Sequence, residues 1–435
     1  MVNTASIAIL MWLAASPAGG STPELTLADA LAELDHRSLA LAQARSRADE
    51  ASALTRQSVA ALLPTLSAQA TYLRNSDAAV FAIPAAPGAP AGPPRVIQPL
   101  ESTTVTGSAR VPLVVPNAWF DLAAARDSAR GAGRSADAAR LALRIGFAQA
   151  AYLSAAAEET VGASDRAVTN AAELVRSAER RVAAGTAAPL DALKARTELV
   201  RRESDLVGAR AGLARSLLAL GVLLGREGPL RVTVPPVDAT PAPELEEPGA
   251  ALWGEALGHR PEIAAEQARV RAAEAGVRSA WARLAPQLSA SGAVFSSDEP
   301  FPTGEKDGWR ATIDLTWALY DGGFRYGKRR QADAQLAGAR AGAEAQRLAV
   351  LQEVEDARRD LAVARERLRL AETQVRLAGD TAASARRSFE AGVASSLDVI
   401  DANDRLYGAE TGLADARARL AQARLDLARA LGREI

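Results

Sequence analysis

Two long stretches of this chain repeat one another, and the length of the repeat limits what the chain can fold into. Leu34-Asp-His-Arg37 recurs as Leu257-Gly-His-Arg260, and each copy leads into an Ala-rich stretch stopped by a proline, Pro64 and Pro286. Ala184-Gly-Thr-Ala-Ala-Pro-Leu-Asp191 recurs as Ala391-Gly-Val-Ala-Ser-Ser-Leu-Asp398, and Leu224-Gly225 recurs as Leu431-Gly432. A period of about two hundred residues is far longer than a solenoid unit. The chain is therefore expected to hold two equivalent halves, roughly 25–230 and 249–435, joined by a Pro-rich, acidic linker over 231–248.

Each half reads in the same order: helix, two strands, very long helix, turn, helix. The first half predicts helix over Leu27–Leu63, strands over Leu66–Arg74 and Thr103–Val115, helix from Pro116 to about Ala184, and helix over Pro189–Gly225. The second predicts helix over Pro248–Ala285, strands over Gln287–Ser296 and Trp309–Tyr320, helix over Gly322–Ala391, and helix over Ser396–Gly432. At 1.5 Å per residue the longest helix spans ~105 Å, more than any ordinary domain core. Ala364, Leu368, Ala371, Val375 and Ala378 form a coiled-coil-like seam along it. The stretch from Ala78 to Pro99, rich in Pro, Ala and Gly, reads as a long exposed loop. The fold class is thus mainly α, with long antiparallel coiled-coil helices and four strands per chain.

Composition removes several function classes. Only 4% of the residues are aromatic, there is no Cys, and the formal charge is -1. A thick globular core, a disulfide framework, a thiolate metal site and a lipidated N-terminal cysteine are all disfavoured. Scattered charge of both signs argues against nucleic-acid binding. His36 and His259 occupy equivalent places in the repeat and read as structural. No nucleophile–base set or phosphate loop is present, so the chain is not expected to be an enzyme or to need a cofactor. Residues 1–20 read as a signal peptide: an apolar run, Ile7 to Ala15, precedes Ser16-Pro17-Ala18, a small-x-small cleavage pattern. No other run is expected to reach the ~18 apolar residues needed for a membrane-spanning helix.

The strands carry a different signal. Trp309, Ala311, Ile313, Leu315, Trp317 and Leu319 alternate with Arg310, Thr312, Asp314, Thr316 and Ala318. Val105, Gly107, Ala109, Val111 and Leu113 alternate with Thr104, Thr106, Ser108 and Arg110. Such runs suit a tilted strand of ~9–11 residues crossing a bilayer. Trp309, Trp317 and Tyr320 sit where an interfacial aromatic belt would form. A soluble sheet with one buried face alternates in the same way, so an exported coiled-coil scaffold remains the alternative. Four strands cannot close a barrel, and open edges in lipid leave backbone groups unpaired. Further copies must close it; three give twelve strands, whereas two give eight and a narrow lumen.

The duplicated order of short motifs resembles the TolC family of outer-membrane efflux ducts. The pieces that carry the resemblance are Leu63-Pro64-Thr65-Leu66 with Ala285-Pro286-Gln287-Leu288, Val111-Pro-Leu113 with Ala318-Leu-Tyr-Asp-Gly-Gly323, and the two tip motifs above. The resemblance implies a homotrimer with a twelve-stranded barrel in outer-membrane lipid and a twelve-helix tube in the periplasm. It implies a passive duct working with a periplasmic adaptor and an inner-membrane transporter of the RND or ABC class. The turns at Gly185-Thr186 and Gly392-Val393 would meet the adaptor. Asp398 and Asp401 match the family's entrance aspartates; three residues apart, they share a helix face, and carboxylate rings favour cations. Ser395 and Asp398 also fit a capping box. Phe389 and Ala394 stand where the family's gate has a tyrosine and an arginine, so Asp191 loses those contacts and a gate with fewer or different polar links is expected. Lys194 and Arg387 are candidate replacements. The end of the chain just past the last helix implies a reduced equatorial collar.

Overall fold

The structure is a computed structural model that describes residues 24–81, 95–237, 243–300 and 304–435. The expected signal peptide lies outside the described residues, as does the middle of the loop between the first two strands. In chain order the first half comprises β1 (Glu24–Thr26), α1 (Leu27–Arg37), α2 (Leu39–Ala60), β2 (Thr65–Arg74), β3 (Ala79–Phe81), β4 (Arg95–Gln98), β5 (Glu101–Val114), α3 (Pro116–Ala183) and α4 (Pro189–Leu223). The linker holds β6 (Arg231–Thr233) and a 3-10 turn at Pro243–Leu245. The second half comprises α5 (Gly249–His259), α6 (Pro261–Ala282), β7 (Gln287–Ser297), β8 (Asp307–Thr316), α7 (Phe324–Glu390) and α8 (Ser396–Leu431).

The duplication extends to lengths. Helices α1 and α5 have 11 residues each, α2 and α6 have 22 each, α3 and α7 have 68 and 67, and α4 and α8 have 35 and 36. Agreement this close means one fold unit written twice. It also corrects the reading of a single helix at the start of each half. Both break at the same place, with extended backbone at Ser38 (φ -64, ψ 121) and Arg260 (φ -68, ψ 123). At Arg260 the cause is Pro261, whose ring disfavours a helical residue before it. The first half reaches the same dihedrals with Leu39 in the proline's place.

The chain falls into two compact units, Met1–Leu39 with Leu141–Pro248 and Glu355–Ile435, and Ala40–Arg140 with Gly249–Val354. In the first unit, α1 lies on a core of Leu34, Phe147, Leu220, Leu224 and Leu230. In the linker β6 forms a parallel ladder with β1. Asp35 receives Arg144 at 2.8 Å, and Glu33 receives Arg226 at 2.5 Å. That hydrogen bond from Arg226, helped by Arg37, holds the Glu33 carboxyl below the usual range. Helix α4 is long and apolar enough in composition to cross a membrane. The apolar-run criterion missed it because arginines interrupt the stretch; Leu217, Leu220 and Gly221 are buried in this unit.

In the second unit β2, β5, β7 and β8 make one four-stranded sheet in that order, every neighbour antiparallel, with β2 and β8 as open edges. The loop from Ala78 to Pro99 is partly a ribbon, since β3 pairs with β4. Strand β8 stops at Thr316, so Trp317, Leu319 and Tyr320 fall beyond the ladder, contrary to the expected strand. The Trp317 indole N–H donates to the Leu284 carbonyl at 3.1 Å, tying the chain to the end of α6. Asp321 then accepts from the Gly323 and Arg325 amides, both at 3.2 Å, and opens α7.

Candidate functional site

The ladder register assembles each strand's alternation into two continuous faces. On one face Leu66, Ala109, Gly292 and Ala311 lie in one row, and Ala68, Gly107, Val294 and Trp309 in the next. Nothing among the described residues covers it: Leu66 is 84% exposed, Trp309 77% and Ile313 74%. The other face is a carpet of hydroxyls. Ser67 and Ser108 are 2.7 Å apart, as are Ser291 and Thr312, and Arg110 donates to Ser289 at 3.3 Å. Phe295 is a bulky apolar residue on that side, its ring lying over Gly308, where a Cβ would meet it at 2.5 Å. Leu113 departs from the expected alternation. The register shifts so that Pro112 pairs with Ser289 and Val114 with Leu288. Proline lacks an amide donor, and a bulge is where a strand tolerates one.

The first unit holds both tip turns. Gly185 and Gly392 adopt left-handed backbone, φ 72 and 80, at the ends of α3 and α7, which closes each helix at a residue without a Cβ. Thr186 donates its hydroxyl to the Arg181 carbonyl at 3.1 Å, and Val393 is 85% exposed. Ser395 and Asp398 form the capping box: Asp398 Oδ2 accepts from the Ser395 amide at 2.8 Å and hydroxyl at 2.7 Å, while the Asp398 amide donates to Ser395 Oγ at 3.3 Å. These bonds hold the Asp398 carboxyl below its usual value. Asp401 is exposed and pairs with Arg405, one turn on, at 2.9 Å.

Outer membrane efflux proteins are the family whose profile matches this chain, over residues 30–226 and 252–433, nearly the whole of both halves. The chain belongs to this family. The pyoverdine export outer membrane protein OpmQ of Pseudomonas aeruginosa is 28% identical over 273 residues, 60% of this chain and 55% of OpmQ. Protein CyaE of Bordetella pertussis is 33% identical over 180 residues, 41% of this chain and 38% of CyaE. The chain thus matches about half or less of the length of these two relatives. The fold of VceC from Vibrio cholerae superposes with a TM-score of 0.75 at 22% identity, covering 94% of this chain and 96% of VceC.

In this efflux protein Phe389 and Ala394 stand at the expected gate positions. Phe389 is buried among Leu174, Val175, Ala178 and Val399. Arg181 stacks on its ring, 4.6 Å from the centroid, and donates to its carbonyl at 2.5 Å. Ala394 packs against the same cluster. Asp191 accepts from the buried Ser396 hydroxyl at 2.7 Å, so the two tips of one chain are joined. Lys194 is exposed and makes no ion pair among the described residues, and Arg387 donates to Ser384 within its own helix at 3.1 Å.

Higher along α4 and α8 lies a cluster that sequence reasoning did not find. Arg202 is 4% exposed and pairs with Glu198 at 2.6 Å, Asp205 at 3.2 Å, and Asp404. Its guanidinium lies 4.6 Å from the Tyr407 ring centroid, and the Tyr407 hydroxyl is 3.2 Å from Ser164 on α3. Asp404 also takes Arg201 and so carries two guanidinium partners. The α4 sequence gives no sign that Arg202 is buried while its neighbour Arg201 is exposed. Arg405, four residues after Asp401, was legible as a partner from spacing alone.

Proposed function

We propose that this efflux protein is a passive trimeric duct in the outer membrane, through which cargo delivered by a periplasmic pump complex leaves the cell. The sheet carries the reading: an apolar face continues across all four strands uncovered, its opposite face is hydroxylic, and both edges are open. In lipid each unpaired edge group costs several kcal/mol. Three copies joined β8 to β2 remove every edge, leaving the apolar face to lipid and the hydroxyls to water. A soluble scaffold would leave Leu66, Trp309 and Ile313 in water.

In this reading α3, α4, α7 and α8 line the periplasmic part of the duct. Asp398 and Asp401 form the entrance ring, with Arg405 moderating the second carboxylate. The tip turns at Gly185-Thr186 and Gly392-Val393 receive an adaptor, and an RND or ABC transporter supplies the energy and selects the cargo. Purified protein should need detergent, run as a heat-modifiable trimer, and open ion channels in planar bilayers. A monomer soluble in plain buffer would refute the duct. Bulky replacements at Gly185 or Gly392 should leave trimers intact and abolish export in cells; unchanged export would refute adaptor docking there.

A further inference from the structure

The hydroxylic face of the sheet carries a charge imbalance. Arg110 on β5 lies in the row Thr65, Arg110, Ser291, Thr312, and Arg310 on β8 in the adjacent row Ser67, Ser108, Ala293, Arg310. Rows on one face of a sheet are ~7 Å apart. Asp314 sits on the other side of the Arg110 row, opposite Ser289. Among the described residues none of these three charges enters an ion pair: Arg110 donates to the neutral Ser289 hydroxyl, and Asp314 accepts from Thr312 at 3.1 Å. The remaining strand charges stand at the ladder ends, where Arg74 pairs with Glu101 at 2.9 Å and Asp307 begins β8. Each chain therefore presents two guanidinium groups and one carboxylate along the middle of this face.

We infer that Arg110 and Arg310 form a cationic girdle inside the barrel that favours anionic solutes. The inference rests on the proposed trimer, which would gather six guanidinium groups and three carboxylates around one lumen. A ring of fixed charge between low-dielectric walls concentrates counter-ions, and Arg rings are the anion-selecting arrangement. The hydrogen bond to Ser289 orients the Arg110 guanidinium without neutralising it. The girdle belongs to the sheet-bearing unit and the entrance carboxylates to the other, so either set can be neutralised by substitution without touching the residues of the other.

The test is the reversal potential of purified trimers in a planar bilayer under a potassium chloride gradient. Asp398→Asn/Asp401→Asn serves as the background, so that the entrance ring does not mask the barrel. Arg110→Gln/Arg310→Gln should lower the chloride-to-potassium permeability ratio severalfold, and Arg110→Lys/Arg310→Lys should restore it, since charge and not shape is at work. Arg310→Gln alone, which removes no hydrogen bond among the described residues, should give part of the shift in a fully folded trimer. Open channels with an unchanged ratio in the Gln variants would overturn the girdle while leaving the duct in place. A wild-type protein that opens no channel would overturn both.

Discussion

At the scale of single residues, the positions that matter most are those where a small change cannot be absorbed. A Cβ on Gly221 would lie 1.9 Å from the Gly228 carbonyl oxygen, a backbone atom held by the turn after α4. Gly221→Ala should destabilise the first unit by at least the upper part of the ~1–3 kcal/mol typical of overpacking, read as a lower thermal midpoint. Arg202→Ala opens a cavity and takes one of two guanidinium partners from Asp404 and Glu198, Arg201 keeping the other; the cost should be substantial yet below the about 3–5 kcal/mol of a buried charge left with no partner. Arg201→Ala, at the exposed neighbour, should cost far less in the same melt. Asp398 gives a pH prediction. Its folded carboxyl is held below the ordinary 3.8 by the Ser395 hydroxyl and amide. A depressed carboxyl stabilises above its unfolded value, and that contribution is lost as pH falls through the folded one. Hydrogen-exchange protection of the Ser395 amide should therefore be constant from neutral pH down to about 4 and fall only below it; loss beginning above pH 5 would show that the cap does not depend on the ionised carboxylate.

At the scale of elements, the sheet divides substitutions by parity. Ile313→Arg puts a charge on the apolar face, where a barrel pays about 2–4 kcal/mol near the bilayer midplane. Thr312→Arg, one residue away, faces the hydroxyl carpet and should be nearly silent. Refolding into lipid vesicles followed by urea titration measures both; equal effects would mean that the two faces meet the same medium. Most of this element was legible in advance, because period-2 alternation specifies a face without tertiary information. Leu113 was not, because the shift after Pro112 depends on the partner strand β7. The end of β8 was misplaced for a similar reason: Trp317 continues the alternation in sequence but is drawn out of the ladder by the Leu284 carbonyl.

At the scale of the whole molecule, the proposed gate is where the local links add up. Within one chain Ser396 bonds Asp191, Arg181 clamps Phe389, and Arg202 ties α4 to Asp404 and Tyr407 of α8. If these links hold the duct closed, Ser396→Ala should raise resting conductance in planar bilayers, and Arg202→Met should raise it further while Arg201 remains as a partner of Asp404. Conductance unchanged in both would place the latch elsewhere, at contacts between copies.

Sequence alone determined that the fold is written twice, that its helices are too long for a globular core, and that its strands have two unlike faces. Those features are local or periodic, and periodicity survives in one dimension. Only the tertiary structure decided that α1 and α2 are separate helices, that the linker pairs with β1, and that Arg202 is buried beside an exposed Arg201. Burial and pairing are set by which residues the fold brings opposite one another, across separations as large as that between Arg202 and Asp404, and no window of sequence contains that information.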